Sequence, residues 1–221
     1  MTAAPRIALI HATALSIPPV NDAFRRLWPE ARLANLLDDT LSVDRARDGV
    51  LTDAMVGRFR ALAHYVINTG AEAILFTCSA FGEAIDAVKA DHPGRLILKP
   101  NEAMIDLALE QSGQIGMVAT FLPTVSSVGA EFETRAAELG IPLSLKTSHA
   151  AGAMEALDDG DGETHDARIV EAAAGLDGDL VVLPQFSMAR SAPLVRQRIG
   201  RPVITTPDAA VQRLRTSFEA Y

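Results

Sequence analysis

The chain has 221 residues; hydrophobic residues make up 48%, charged residues 22% and aromatics 5%. This is globular composition, which excludes a disordered or fibrous chain and leaves room for one large domain or two small lobes with a sizeable core. Lys and Arg number 20 against 28 Asp and Glu, a net charge of −8, so nucleic acid and an anionic membrane surface are set aside as partners.

Cys78 is the only cysteine, so an internal disulfide is impossible. The opening Met1-Thr-Ala-Ala-Pro-Arg6 has no apolar stretch with a cleavage site and does not read as a signal peptide. No run approaches the roughly 18 apolar residues of a membrane helix. A reducing, cytoplasmic setting is the expectation.

In chain order, apolar runs at 7–10 and 31–37 read as strands. Thr52 caps a helix that runs to Asn68 and stops before Gly70, with Phe59, Leu62, Ala63, Val66 and Ile67 as its apolar stripe. A strand at 73–77 leads into a helix near Gly82, then a strand at 96–98. Asn101 caps the next helix and Gly113 stops it. After a strand at 115–119, Pro123 begins a helix that Gly140 ends. Strands follow at 143–146, 180–183 and 203–205, with a last helix after Pro207. The Gly/Asp-rich stretch 158–162 is a surface loop without calcium-ligand spacing. Continuous apolar strands separated by helices imply parallel sheets covered on both faces.

The two halves resemble each other. Ile74-Leu-Phe-Thr-Cys-Ser-Ala-Phe81 lines up with Val181-Val-Leu-Pro-Gln-Phe-Ser-Met188, placing Gln185 107 positions after Cys78. Leu96-Ile-Leu-Lys-Pro100 lines up with Val203-Ile-Thr-Thr-Pro207 at the same offset, and Arg6-Ile-Ala-Leu-Ile10 with Gln114-Ile-Gly-Met-Val118 at 108. A duplicated α/β unit follows. The expected fold is α/β, with two pseudo-symmetric lobes, each a mostly four-stranded parallel sheet flanked by helices, and the active site in the interlobe cleft. The expected lobes are 1–100 plus 207–221, and 101–206.

Ligands of open parallel sheets bind beyond the C-terminal strand ends, so polar residues there are the candidates. Cys78 is the sharpest: a helix start nearby favours an anion and lowers a thiol pKa, against the alternative of a small packed hydrophobe. Gln185 holds the equivalent place and can only donate and accept hydrogen bonds. His11 orients a thiolate or holds substrate, unless it is a structural histidine. Thr13, Thr77, Ser79, Ala80, Asn101, Thr120, Phe121, Thr124, His149 and Ser187 complete the binding candidates. His64, His92 and His165 read as surface residues, and Asp38-Asp39 as a solvated turn. No metal-ligand spacing, P-loop, G-x-S-x-G elbow or G-x-G-x-x-G appears, so neither a metal nor a cofactor is expected.

The residues Phe76-Thr-Cys-Ser-Ala-Phe-Gly82, Leu183-Pro-Gln-Phe-Ser-Met-Ala189 and Val118-Ala-Thr-Phe121, with the pseudo-repeat, resemble the aspartate/glutamate racemase superfamily, which includes hydantoin racemases, arylmalonate decarboxylases and maleate isomerases. The resemblance implies a cysteine from each lobe on opposite faces of the substrate α-carbon. Cys78 matches the first; the second falls on Gln185, so symmetric two-thiol racemisation is not available. The implied activity is a cofactor-independent racemase or isomerase acting next to a carboxylate or carbonyl, on an amino acid, hydantoin or small dicarboxylate. Carboxylate donors are implied around Ser79, Ala80, Thr120, Phe121 and Ser187. One-sided protonation by Cys78 in a decarboxylase or lyase is the alternative, and a non-catalytic small-carboxylate binder the other class. Dimers are common in the resembling family, so a homodimer or higher homo-oligomer is the partner expected.

Overall fold

The computed structural model describes residues 4–220. Met1, Thr2, Ala3 and Tyr221, which the opening segment read as no signal peptide and the expected lobe ranges include, lie outside the described residues. The chain divides into two compact units: residues up to Pro100 with those from Ala210 onward, and Asn101–Ala209.

The first unit starts with β1 (Arg6–His11), α1 (Ile17–Leu27), β2 (Arg32–Leu37), α2 (Thr40–Asp48) and α3 (Asp53–Asn68). It continues with β3 (Ala73–Phe76), α4 (Gly82–Asp91) and β4 (Leu96–Leu98). The strands form one parallel sheet in the order β2-β1-β3-β4. The central strands β1 and β3 are apolar and buried. The edge strand β2 is half-exposed, since water reaches its open side, so the expectation of continuous burial fails there.

Helix α3 starts as the sequence requires: Thr52 Oγ1 accepts from Met55 N at 3.3 Å. Its buried face, Met55, Phe59, Ala63 and Val66, packs against Ala8, Ile10, Ile74 and Phe76 on one sheet face. Phe59 stacks on Phe76 at 5.3 Å and meets Phe81 at 4.8 Å. These contacts anchor the turn Ser79–Phe81, which carries the chain away from Cys78.

The second unit holds α5 (Glu102–Gln111), β5 (Gln114–Ala119), α6 (Leu122–Leu139) and β6 (Ser144–His149). Then come α7 (Ala153–Asp158), α8 (Gly162–Ala174), β7 (Leu180–Leu183), α9 (Ala192–Ile199) and β8 (Val203–Thr205). The strand order is β6-β5-β7-β8, again parallel. Ile115, Met117 and Val182 face α5 and α6, while Val118, Val181 and Leu183 face α8 and α9. This two-residue alternation covers both sheet faces with apolar side chains. The edge strand β6 reaches His149, so Ser148 and His149 lie in the strand rather than after it.

The register repeats too. Ile7 pairs with Ala73 in the first sheet, and Ile115 with Leu180 in the second, positions separated by the sequence offsets of 108 and 107. The last helix, α10 (Thr206–Glu219), begins in the second unit; its later residues count with the first. There Phe218 meets Trp28 at 5.5 Å and Arg215 donates to Leu27 O at 2.8 Å.

Gly113 does more than stop a helix. Ser112 already occupies the C-cap position of α5, and a Cβ at Gly113 would overlap the Pro142 carbonyl oxygen. Gly113→Ala is expected to lower unfolding stability by about 1–3 kcal/mol through overpacking against backbone. Urea denaturation checks this; a wild-type midpoint would mean the Pro142 carbonyl moves aside at no cost.

Candidate functional site

In the first unit, β1 ends at His11, which is completely buried. Its Nε2 lies 2.9 Å from Asn35 Oδ1, and its Nδ1 lies 2.8 Å from Thr77 Oγ1 and 3.1 Å from Ser16 Oγ. An amide oxygen only accepts, so Nε2 carries the hydrogen and Nδ1 receives a hydroxyl donor. Ser16 also sits 2.9 Å from Thr77 Oγ1 and donates to Thr13 O at 2.9 Å. The cluster therefore ties the ends of β1 and β3 to β2 and to the loop after β1. Burial lowers the His11 pKa, partly offset by the Asn35 hydrogen bond. His11 is thus a neutral positioning group for Thr77, and its ring nitrogens are spent on Asn35 and Thr77 rather than on a thiolate.

Cys78 follows Thr77 directly. It is half-buried and packs on the first unit's core between Phe76 and Phe81. Burial pushes its thiol up, while the Ala80 N–H, donating to the sulfur, pulls it down by less. The sequence expectation of a lowered thiol is corrected here. Helix α4 begins only at Gly82, and one backbone N–H does not outweigh a dry setting. Ser79 is half-buried and Ala80 exposed beside it. Thr13 caps its own turn, accepting from Leu15 N at 3.4 Å.

In the second unit, Gln185 Oε1 accepts from Thr120 N at 2.7 Å, tying the end of β7 to that of β5. The Thr120 N–H, expected to hold a carboxylate, is therefore occupied. Thr120 Oγ1 is buried with no partner among the described residues. His149 is exposed, with Nε2 3.4 Å from Thr120 O. Asn101 takes the N-cap position of α5, yet its side chain makes no cap bond. Its Oδ1 instead accepts from Thr206 Oγ1 at 3.1 Å, and its Nδ2 is buried without a partner. The Thr206 hydroxyl also approaches Leu183 O at 3.2 Å, next to the end of β7. Thr124 is buried in the first turn of α6, Phe121 is exposed just before it, and Ser187 is half-buried in the turn Phe186–Ser191.

The structure thus brings Thr120 together with Gln185 and His149, and Asn101 together with Thr206. Thr124 and Ser187 make no side-chain bond to either group. Thr206, a strand-end polar residue by sequence, is placed here as a support; Asn35 and Ser16 were missed, and the one signal was Asn35, a polar residue inside the apolar run Leu33-Ala-Asn-Leu-Leu37. His165 is a correction as well. It is completely buried, with Nδ1 2.9 Å from Asp166 Oδ1. The Ser191 hydroxyl donates to Asp166 Oδ1 at 2.6 Å and Arg190 Nε to Asp166 Oδ2 at 3.2 Å, so the carboxylate ties α8 to the turn after Gln185.

Asp38 belongs to a separate cluster. Burial pushes its carboxyl up, but bonds from Thr40 and Arg58 and the Arg58 charge together hold it below its ordinary value. Among the described residues no group of His, Cys, Asp and Glu is arranged to hold a metal ion, and no helix is long and apolar enough to cross a membrane. A cavity of about 500 Å³ lies between α6 and β6, lined by Glu133, Ala136, Ile141, Leu143 and Leu145, and contains none of the candidates.

No protein-family model matches the sequence, and no curated protein matches it. Solved structures do match in fold. A glutamate racemase of Bacillus anthracis has a TM-score of 0.72 at 13% identity, covering 99% of this chain and 83% of its own. The aspartate racemase of Picrophilus torridus gives 0.74 at 12%, covering 96% and 94%. The allantoin racemase of Klebsiella pneumoniae gives 0.68 at 15%, covering 98% and 89%. The chain shares the fold of these racemases.

The burial of His11 has a measurable consequence. A depressed histidine pKa in the folded state means the unfolded chain binds more protons. The contribution is complete above about pH 6.5, the ordinary histidine value, and is lost as pH falls toward the folded pKa. Stability is therefore expected to fall as pH drops below that point, and the fall should be shallower in His11→Gln. Chemical denaturation of both proteins across this range checks it; parallel pH curves would show that His11 titrates alike in both states.

Proposed function

We propose that this chain is a cofactor-independent enzyme of the racemase and isomerase type, acting at a carbon next to a carboxylate or carbonyl, with Cys78 as its proton-transfer group. The observation that carries the reading is Cys78 itself: the sole cysteine, at the C-terminal end of a central parallel strand, partly accessible, in a fold shared with racemases. Carbon-acid chemistry needs a group that moves the proton and donors for the charge that develops beside it. Ser79, beside the sulfur, is a neutral group suited to a carboxylate. The unpaired thiol fits work in the cytoplasm.

Racemisation requires Cys78 as thiolate, taking the α-proton, and a different group returning a proton to the other face. The repeat puts Gln185 at the equivalent position, and an amide neither takes nor gives a proton at neutral pH. A single acid/base group on one face allows a second reading, one-sided protonation. In a substituted malonate, the bond to one carboxylate breaks, carbon dioxide leaves, and its electron pair stays on the α-carbon. The Cys78 S–H then gives that carbon its proton, and solvent reprotonates the sulfur.

Both readings are tested by incubating the protein in heavy water with amino acids, hydantoins and substituted malonates, and following the α-carbon by NMR. Deuterium enters the α-position, with or without loss of carbon dioxide, and Cys78→Ala slows this by about a hundredfold or more. Ligand binding without incorporation in the wild type would make the chain a binding protein instead.

A further inference from the structure

We propose that the groove between α6 and β6 is a docking site for an extended segment of a partner protein. The segment adds to the sheet beside β6, seats an apolar side chain under α6 and brings a Lys or Arg to Glu133. The proposal is independent of the chemistry at Cys78.

β6 is an edge strand: in the order β6-β5-β7-β8 it has a neighbour on one side only. In a parallel ladder the N–H and C=O of one residue point to one side and those of the next to the other. Ser144 N donates to Gly113 O at 2.7 Å, on the β5 side, and Ala150 N to Ala119 O at 2.9 Å. The even-numbered residues therefore spend their backbone groups on β5. Leu145 and Thr147 turn theirs to the open side, where they form a template for another strand. Leu145 precedes His149 by four residues, about 13 Å along the strand, so this template lies away from the Thr120–Gln185 end of the sheet.

The side chains supply a pocket beside that template. Successive side chains alternate across a strand, so Leu143 and Leu145 share one face and Lys146 takes the other. Leu143 and Leu145 line the groove with Ile141, Ala136 and Ala137. Gly140, at φ 66°, ends α6 in left-handed backbone, and the Ile141 N–H then reaches Ala136 O at 2.9 Å. That return brings Ile141 beside the helix, and alanines on the helix side leave a space of about 500 Å³. Ile141, Leu143 and Leu145 are each only half-buried, and an incoming apolar side chain completes their burial.

Charge decides the partner's chemistry. Glu133 lines the groove, is exposed, and makes no hydrogen bond or ion pair among the described residues. Arg135, two positions on, is taken by Asp106 and Glu138. A cationic side chain therefore gains Glu133, and an anionic one is repelled by it. Side chains two apart share a face of an extended segment, so the motif is an apolar residue with Lys or Arg two positions away. A second copy of β6 fits less well, because Leu143, Leu145 and Thr147 carry no cation on that face.

The test titrates the capped hexapeptide Thr-Val-Leu-Thr-Lys-Thr into the full chain and follows backbone amides by NMR. Saturable shifts are expected at Leu145 and Thr147, with Val182 in β7 unmoved. The same peptide with Glu for Lys should bind about tenfold more weakly, and Glu133→Gln should weaken the Lys peptide by about two- to fivefold. Glu133→Lys should reverse the preference, and Ala137→Trp should fill the groove and abolish binding. Glu133 and Ala137 are exposed, so unfolding midpoints should stay at the wild-type value. Isoamylamine, an apolar group and a cation without a backbone, should bind at least tenfold more weakly than the Lys peptide. The proposal is overturned by equal binding of the Lys and Glu peptides, by isoamylamine binding as well as the peptide, or by shifts at β8 instead. Self-association of the chain that Ala137→Trp abolishes, with no peptide binding, would overturn it in favour of a second copy.

Discussion

The pairing between the first and third strands of each unit is the constraint on which the candidate site depends. Parallel strands in register end side by side, so the loops that leave them begin as neighbours. Ile7 beside Ala73 brings His11 to Thr77, and Ile115 beside Leu180 brings Thr120 to Gln185. Each unit thus closes the same gap with a polar link, but with different chemistry: an imidazole on a hydroxyl in one, a backbone N–H on an amide in the other. Each such bond adds only about 1 kcal/mol net, so its importance lies in fixing where the next residue begins.

What begins next in the first unit is Cys78, and its surroundings are set by aromatic packing. Phe76 before it and Phe81 after it are both buried against Phe59, which anchors the turn on the core. Dryness and the Ala80 N–H act in opposite directions on the thiol, and dryness wins. A sulfur that keeps its proton is a poor resting nucleophile. The same feature that holds the cysteine in place therefore also biases its chemistry.

Several cations that follow the strands are paired. The chain is acidic overall, and its cations near these ends are taken up by carboxylates or carbonyls: Arg58 by Asp38 and Asp44, Lys99 by Asp86, Arg190 by Asp166, Arg168 by Ala151 O. Of the hydroxyls and amides at the strand ends, Thr120 Oγ1 and Asn101 Nδ2 are buried without a partner among the described residues. Such atoms are uncommon in folded proteins because each forfeits its hydration.

The sequence by itself determined the parallel sheets, the repeat and the strand-end positions of Cys78 and Gln185. Apolar runs, caps such as Thr52 and helix ends such as Gly140 are local signals, written in neighbouring residues. It also marked Thr120 and Asn101 as polar residues worth attention. Only the tertiary structure decided what those groups do. That His11 serves Thr77, that Gln185 consumes the Thr120 N–H, that Asn101 turns from its helix to Thr206, and that His165 is buried all depend on partners distant in the chain or on burial. The direction of the Cys78 thiol does too. A pKa reports how much protein surrounds a group, and that is assembled from every element packed around it rather than spelled by the residues beside it.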